Sequence, residues 1–255
     1  MKRIITDIIR ELKASVDERY KSAQQWFFKE GIELYGVRVG VVRKIGRDFF
    51  REIELKDKKH VFELCEELLE IERQETKIIA WQWARKMNGE FVSGDFRVFE
   101  RWLKKYVSNW ASCDGLCTGP LGDLLVMYPE LIKKTVVWRR SRNRWVRRAA
   151  AVILILPVKS KQNLKDVFKA ADDLLLDDDD MVQKGYGWML KEASNKYKKE
   201  VFDFVMKRKD RMPRTALRYA IEKMPKSWRS EAMEKSKVKR KKPPGVVVGV
   251  GERTR

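Results

Sequence analysis

Apolar residues that recur three or four positions apart constrain the fold of this chain more than any other feature of its sequence. Near the amino end these residues are Ile4, Ile5, Ile8, Ile9 and Leu12. The spacing places them on one face of an α-helix, and it returns over residues 61–71 and 78–84. Strand-like alternation is almost absent, its clearest case being VVVGV at 246–250 in a basic tail. The sequence therefore predicts an all-α protein of about a dozen helices.

The predicted helices are arranged in pairs and separated by short breaks such as Asn88-Gly89. The pairs fall near 57–70 and 74–87, 95–106 and 109–127 (with a break at Gly119-Pro120), 129–139 and 144–156, 161–176 and 179–193, and 197–208 and 213–224. Their period of about 35–40 residues is typical of helical-pair repeats, which stack into curved solenoids. We therefore predict an all-α solenoid with a concave, basic face; an irregular helical bundle is the alternative.

The net charge of +20 comes from 57 Lys and Arg against 37 Asp and Glu. Residues 235–255 contain eight Lys or Arg and one Glu, a charge of +7, which leaves +13 for residues 1–234. An excess of this size favours a polyanionic partner, for which nucleic acid is the first candidate. A charged surface that raises stability, as in thermophiles, is the alternative. That alternative explains abundant charge of both signs better than it explains this imbalance.

Composition and cysteine spacing disfavour several classes of protein. The three cysteines, Cys65, Cys113 and Cys117, are too few for a disulfide scaffold, and the only histidine, His60, is far from the C-x3-C pair. We therefore expect no metal site and interpret the thiols as small buried groups. No apolar run reaches the roughly 20 residues that span a bilayer, and the amino end mixes charges into its apolar positions. These patterns predict a cytoplasmic protein that does not enter membranes.

The acidic run DDLLLDDDD at 172–180 is interpreted as helix-capping charge, because its last four residues directly precede a predicted helix. Bound Mg²⁺ is the less favoured alternative. The sequence contains no P-loop, glycine-rich dinucleotide turn, zinc-deaminase signature or Ser/His/Asp set. We therefore predict that the protein uses no cofactor.

The densest basic segment is KKTVVWRRSRNRWVRR at 133–148, with eight Lys or Arg, two Trp and no acid. Arg147 and Arg148 fall at the start of an apolar helix, where backbone N–H groups also favour anions. Guanidinium groups bind phosphate through paired hydrogen bonds. A solvated loop is the alternative, but unrelieved positive charge at a helix amino terminus costs stability. We therefore predict that Arg144, Arg147 and Arg148 contact the nucleic-acid backbone.

Two tryptophans are candidates for a functional site, although most of the nine in the chain are expected in the core. Trp110 precedes Asp114 by four residues in NWASCDGLC, so the two side chains share one face of a helix. Trp188 lies in VQKGYGWMLKEAS, where Gly185 and Gly187 reduce the side-chain cover around it. An indole face in a basic groove attracts cations and stacks on bases. Asp114 is the acid that we expect to act with these rings.

The motifs NWASCDGLC, WVRRAAAVILI, VQKGYGWMLKEAS and PRTALRYAIEKMP occur in this order after WFFKEGIELYGVRVGVVRKI. As an ordered set they resemble the AlkD-like DNA alkylation-repair glycosylases, a family built from stacked HEAT-like helical repeats. The resemblance covers roughly residues 1–235 and implies a single HEAT-like repeat glycosylase domain with a concave, basic DNA-binding cleft. Residues 236–255 have no recognised counterpart, and we expect them to form a basic, disordered tail.

The resemblance also implies catalytic roles for individual residues. The catalytic Asp of the family falls on Asp114, and the two tryptophans of its active cleft fall on Trp110 and Trp188. The family pattern W-D-x-x-D is incomplete in this chain, because Ala111 occupies the position of the first acid. This departure bears on rate or substrate range, whereas the catalytic Asp of the pattern is retained at Asp114.

The same resemblance implies how the chain contacts DNA. The phosphate-binding Arg of the family falls on Arg147 or Arg148, of which Arg148 is favoured. An aromatic residue at the cleft edge falls on Phe27, with Trp26 as the alternative. The family acts without inserting the base into a pocket, so we expect no base flipping.

A base alkylated at a ring nitrogen is cationic and already a good leaving group, so its departure requires no acid. A carboxylate near the anomeric carbon, electron-rich rings and a water suffice. We therefore predict a monofunctional, monomeric DNA glycosylase that removes N7-methylguanine and N3-methyladenine from double-stranded DNA. It would leave an abasic site for base excision repair. The alternatives are a non-catalytic nucleic-acid-binding repeat protein and a scaffold for an acidic protein.

Overall fold

The computed structural model describes residues 2–160 and 163–234, and within these ranges every regular element is helical. The α-helices of the described residues are α1 (Arg3–Ala14), α2 (Glu18–Phe27), α3 (Val39–Glu52), α4 (Lys58–Glu70), α5 (Gln74–Lys86), α6 (Phe96–Tyr106), α7 (Trp110–Cys117), α8 (Pro120–Met127), α9 (Arg144–Val152), α10 (Ile155–Lys159), α11 (Leu164–Asp173), α12 (Asp180–Ala193), α13 (Lys198–Met206), α14 (Arg214–Ala220) and α15 (Lys226–Met233). The 3₁₀ segments are Asn88–Glu90, Ser93–Asp95 and Pro129–Arg140. The predicted all-α class is confirmed. The predicted tail at 236–255 lies outside the described residues.

A central row of helices, each packed against the next, organises the fold. The row consists of α3, α5, α7, α9, α12 and α14. Other helices lie beside it, for example α4 against α5 and α11 against α12. This repeated pairing makes the fold a helical-repeat solenoid, as the period of the apolar segments predicts. Trp110, Asp114, Arg148 and Trp188 lie on three neighbouring helices of the row, which are α7, α9 and α12.

The apolar spacing that predicts the helices also identifies the residues that they bury. In α1, Ile5, Ile8 and Leu12 are fully buried, one helical turn apart, whereas the charged Arg10 and Glu11 between them are exposed. Full burial of a side chain of this size contributes about 1.5–3 kcal/mol. Packing of one apolar face therefore stabilises these short helices more than their intrinsic helix propensity does.

Proline accounts for two breaks between helices. The predicted break at Gly119-Pro120 is confirmed and separates α7 from α8. The prediction of one continuous helix over 144–156 is wrong, because α9 and α10 are separate helices. The ring of Pro157 would conflict with the carbonyl of Ile153 in a continuous helix, and the chain turns between them instead.

The α-helix predicted at 129–139 is also wrong, because Pro129–Arg140 forms a run of 3₁₀ turns. The adjacent β-branched residues Val136 and Val137 lower the propensity of this segment for the α-helix. The last helix of the described residues, α15, has no counterpart among the predicted elements. Only Ala232 of its eight residues is buried, so its apolar periodicity is weak.

Most tryptophans lie in the core, as predicted. Five of the nine are buried: Trp81, Trp83, Trp102, Trp138 and Trp145. In contrast, Trp26 is 86% exposed near the end of α2, and Trp110 and Trp188 are partly buried. Among the described residues, no helix has both the length and the apolar character needed to cross a membrane.

Candidate active site

Helix α7 carries Trp110 and Asp114, and its start is fixed by Asn109. The Asn109 side chain accepts a hydrogen bond from the Ser112 backbone N–H at 2.8 Å and donates one to Gln74 Oε1 at 3.0 Å. An Asn at this position caps the amino terminus of the helix. Trp110 is therefore the first helical residue, and Asp114 follows one turn later on the same face.

Asp114 forms a bidentate ion pair with Arg148 on α9. Arg148 Nε donates to Oδ1 and Nη2 donates to Oδ2, both at 2.8 Å, and Nη1 donates to the Met181 carbonyl on α12. The Arg148 side chain is 6% exposed and that of Asp114 is 17% exposed. Burial raises the pKa of Asp114, while the hydrogen bonds and charge of Arg148 act in the opposite direction. Because a guanidinium is a permanent cation, the pair holds Asp114 as an oriented carboxylate.

Two glycines of α12 allow this helix to pack closely against its neighbours, α9 and α14. A Cβ at Gly185 would lie 3.1 Å from Arg148 Cγ, closer than side chains normally pack. A Cβ at Gly187 would lie 2.7 Å from Tyr219 Cβ on α14. The glycines on either side of Tyr186 therefore allow α12 to pack closely against α9 and α14.

Aromatic residues at the end of α2 hold the indole of Trp110. The Phe28 ring stacks on it, with 5.0 Å between centroids and 6° between planes. Phe27 meets the indole edge to face at a centroid distance of 6.0 Å. Phe28 is buried by this contact, whereas Phe27 and Trp26 are exposed. The Trp110 ring is thus fixed by Phe28, and two further aromatic side chains remain open to solvent.

A cavity of about 910 Å³, here called the Asp114 cavity, brings most of the predicted site residues together. Six of the eight line it: Trp26, Phe27, Trp110, Asp114, Arg148 and Trp188. Arg144 and Arg147 are not among its lining residues, although they belong to the same helix as Arg148. The volume is within the ordinary range of ligand-binding clefts. A carboxylate and several aromatic rings therefore border one space.

The expectation of unrelieved positive charge at the start of α9 is wrong. Arg147 Nε donates to Asp177 Oδ2 at 2.7 Å, and Arg144 Nη2 donates to Asp179 Oδ1 at 2.9 Å. Both partners belong to the acidic run at 172–180. The acids that balance the positive charge of these arginines belong to the next repeat. The sequence of the basic segment therefore does not reveal them.

The interpretation of the acidic run as helix-capping charge is confirmed. Asp179 Oδ1 accepts the backbone N–H of Met181 at 2.9 Å and that of Val182 at 3.3 Å. Asp180 follows in the first turn of α12, where negative charge is favoured. A hydrogen bond from Lys184 lowers the pKa of Asp180. The run therefore caps α12 and pairs with arginines of α9.

Several lining residues of the cavity have no counterpart among the predicted ones. They are Lys29, Glu30, Asp180, Met181, Lys184, Lys191 and Tyr219. Glu30 lies 3.6 Å from Arg144 and so connects the segment after α2 to α9. Such pairs are far apart in the chain, and no local pattern marks them. The one available signal is Gly187, whose small size admits Tyr219.

The three thiols belong to the core, as predicted. Cys65, Cys113 and Cys117 are free and fully buried. Burial raises the pKa of Cys117 well above its usual value, and the neighbouring Cys113 adds to this effect, so the reactive thiolate is disfavoured. The part of the chain that the structure describes contains no group of three or more His, Cys, Asp or Glu placed to hold a metal ion.

The fold and the site define a helical-repeat protein with an oriented carboxylate and aromatic rings at one cavity. The sequence profile of the DNA alkylation repair enzyme family matches residues 8–224, which is most of the chain. The protein therefore belongs to the DNA alkylation repair enzyme family. This membership supports an enzyme that acts in the repair of alkylation damage to DNA.

A solved structure shares the fold. It is that of a predicted DNA alkylation repair enzyme from Enterococcus faecalis, which aligns with a TM-score of 0.69. The alignment covers 83% of this chain and 98% of that chain, at 16% sequence identity. This likeness establishes the helical architecture. No curated protein sequence matches the chain.

Proposed function

We propose that the protein is a DNA glycosylase that hydrolyses the N-glycosidic bond of cationic N-alkylated purines, such as N7-methylguanine and N3-methyladenine. The observation that carries this proposal is the oriented carboxylate of Asp114 in the same cavity as Trp110 and Trp188. Membership of a family of alkylation-repair enzymes supports the same substrate class.

The reaction requires stabilisation of positive charge more than it requires an acid. An N7- or N3-alkylated purine departs as a neutral base, and the deoxyribose becomes oxocarbenium-like as the bond breaks. The carboxylate of Asp114 stabilises this cation, and it accepts a proton or hydrogen bond from the water that attacks the anomeric carbon. The products are the free base and an abasic site, and the strand stays intact.

The two indoles bind the cationic base. The face of an indole carries partial negative charge, and a cation above it gains about 0.5–2 kcal/mol. Trp110 is already fixed by its stack with Phe28, so little reorganisation of this ring accompanies binding. Trp188, on α12, lines the same cavity. Together the rings favour a charged base over its neutral counterpart.

Exposed aromatic residues border the cavity on the side of α2. Trp26 and Phe27 are 86% and 56% exposed, and such rings stack on bases or sugars at about 1–3 kcal/mol per base. Because they meet DNA at the rim of the cavity, the damaged base does not have to leave the duplex. We therefore propose that base flipping is not required.

The arginines of α9 are proposed to bind phosphates of double-stranded DNA. Arg148 has five N–H groups, three of which donate to Asp114 and Met181, so two remain for a phosphate oxygen. Arg144 and Arg147 are paired with aspartates, and a phosphate would share or replace those partners. Such exchange makes binding sensitive to salt, as is usual for phosphate contacts.

Ala111, at the position of the missing acid, is not among the lining residues of the Asp114 cavity. Ala111 lines a second cavity of about 610 Å³, and Trp110 lines both this cavity and the Asp114 cavity. Asp114 itself is not among the lining residues of the second cavity. We therefore propose that the chemistry depends on Asp114 and proceeds without a second carboxylate at position 111.

The direct test is the release of methylated bases from duplex DNA. Free N7-methylguanine and N3-methyladenine are separated by chromatography, and abasic sites are counted with an aldehyde-reactive probe. A monofunctional glycosylase releases base and forms an equal number of unbroken abasic sites. If the protein binds DNA in a salt-dependent way but releases no more methylated base than a protein-free control, the proposed enzymatic activity is rejected. The protein would then be a non-catalytic nucleic-acid-binding protein. Strand breaks at the abasic sites would reject the monofunctional assignment.

A further inference from the structure

The indole of Trp188 is anchored by a carboxylate on its own helix. Trp188 Nε1 donates to Glu192 Oε1 at 3.3 Å, one turn further along α12. Asn195 Nδ2 donates to the other oxygen, Oε2, at 3.2 Å. The Glu192 side chain is only 10% exposed. The carboxylate is therefore held in place from more than one side and holds the indole in turn.

Two lysines flank the same carboxylate. Lys159 Nζ lies 3.0 Å from Oε2, and Lys223 Nζ lies 3.2 Å from Oε1. Burial acts to raise the pKa of Glu192, but the hydrogen bonds and charges of the two lysines outweigh it and keep this pKa below its usual value. Glu192 is therefore ionised at neutral pH. One negative charge stands against two positive charges beside the indole.

We propose that Glu192 is a positioning residue that makes the Asp114 cavity select cationic over neutral bases. It orients the Trp188 ring at the cavity wall, and its charge offsets that of Lys159 and Lys223. Without that charge, two ammonium groups would stand beside the ring and repel a cationic base. The inference rests on the proposed function, in which the charge of the damaged base is the basis of recognition.

A second indole–carboxylate pair in the chain offers a matched control. Trp138 Nε1 donates to Glu100 Oε1 at 2.8 Å, and Lys104 lies 2.9 Å from the same oxygen. Trp138 is buried in the core and is not among the lining residues of the Asp114 cavity. Glu100→Gln therefore makes the same chemical change as Glu192→Gln at a distance from the site.

Two small probes separate the effect of charge from that of shape. 1-Methylnicotinamide is a planar cation, and nicotinamide is its neutral analogue. Each is titrated into the full-length protein labelled with ¹⁵N at its tryptophans, and binding is followed on the Trp188 indole resonance. That resonance is identified by its loss in Trp188→Phe. The unmodified protein is expected to prefer the cation by about fivefold, the size of a single cation–π contact.

The variants are expected to change this preference in opposite directions. Glu192→Gln keeps an acceptor for the indole N–H but removes the charge, so most of the cation preference should be lost. Lys223→Gln removes a positive charge and should increase the preference. Glu100→Gln should leave it unchanged. A role of Glu192 in folding alone would weaken both probes equally, so the ratio of the two affinities distinguishes the roles even in a less stable variant.

Two results would overturn the inference. One is an unchanged cation preference in Glu192→Gln, and the other is a shift in Lys223→Gln in the same direction as in Glu192→Gln. Release of N7-methylguanine is measured in parallel and should fall about fivefold in Glu192→Gln alone. If the unmodified protein releases no base, the proposed function fails, whereas the probe titrations still decide the role of Glu192.

Discussion

Arg148 holds Asp114 through two parallel hydrogen bonds of 2.8 Å, and this ion pair joins helices α7 and α9 at the wall of the cavity. A bidentate pair fixes both the charge and the orientation of the carboxylate. Both groups are largely withdrawn from water, so removal of either partner leaves an uncompensated charge. The same contact therefore connects two repeats and prepares the group to which we assign catalysis.

Asp114→Asn is expected to lower the rate of N7-methylguanine release by about 10²–10³-fold, because it removes the charge that stabilises the sugar cation. DNA affinity should stay the same or rise, because a negative charge near phosphates is lost. Single-turnover release and equilibrium binding measure the two effects, and thermal melting shows whether the variant is folded. Release at the original rate by folded Asp114→Asn would remove Asp114 from catalysis.

Arg148→Met is expected to lower the free energy of unfolding by about 3–5 kcal/mol, because the buried carboxylate of Asp114 loses its partner. Combining it with Asp114→Asn should cost less than the sum of the two single changes, since the pair is removed together. Urea unfolding gives the free energy of unfolding of the two single variants and of the double variant. Arg139→Met, which removes another buried arginine, paired with Asp173, is the control. The decrease in the free energy of unfolding caused by Arg139→Met should add to the decrease caused by Asp114→Asn. If the decreases caused by Arg148→Met and Asp114→Asn were also additive, this would contradict coupling between Asp114 and Arg148.

The rate of base release is expected to fall at acid pH around a pKa above the usual value for an Asp. Burial raises the pKa of Asp114, and only the carboxylate stabilises the sugar cation, so activity is present above this pKa and lost below it. In Arg148→Met the loss should begin at higher pH, because the guanidinium no longer favours the ionised form. Single-turnover rates between about pH 4 and 8, corrected for protein-free release, measure the shift. Identical profiles would argue against titration of Asp114.

Trp26→Ala is expected to weaken binding to undamaged and methylated duplexes alike, with little change in stability. The ring is 86% exposed, so its loss removes contact with DNA, worth about 1–3 kcal/mol, rather than core packing. Fluorescence anisotropy with labelled duplexes measures the affinity. Leu55→Ala, at another exposed apolar side chain, is the control. Equal affinities for the two variants would place Trp26 outside the interface.

Base release is expected to persist in EDTA. Asp177 and Asp179 in the run at 172–180 cap α12 or pair with arginines of α9, so their oxygens already have other partners. Release of N7-methylguanine is compared before and after dialysis against the chelator. Activity that disappears and returns with Mg²⁺ or Zn²⁺ would contradict the assignment of this acidic run.

Local spacing determined a large part of the fold and the centre of the candidate site. The amphipathic helices and their pairing period depend on residues a few positions apart, so the sequence predicts them directly. Trp110 and Asp114 share a helical face for the same reason, and Asn109 caps the helix that carries them. Where the prediction failed, as at 129–139 and around Pro157, the competing preference is also local, and there it outweighs the apolar pattern.

Only the tertiary structure decided which charges meet. The basic segment contains no acid, yet Arg147 pairs with Asp177 from the next repeat, and Arg148 pairs with Asp114 from the preceding one. These partners depend on the angle and distance at which helices stack. That stacking is set by many small packing contacts, such as the close approach that Gly185 allows. No short sequence pattern encodes the combined effect of these packing contacts. The sequence can therefore indicate the residues of the site, but only the tertiary structure shows which charges pair with each other.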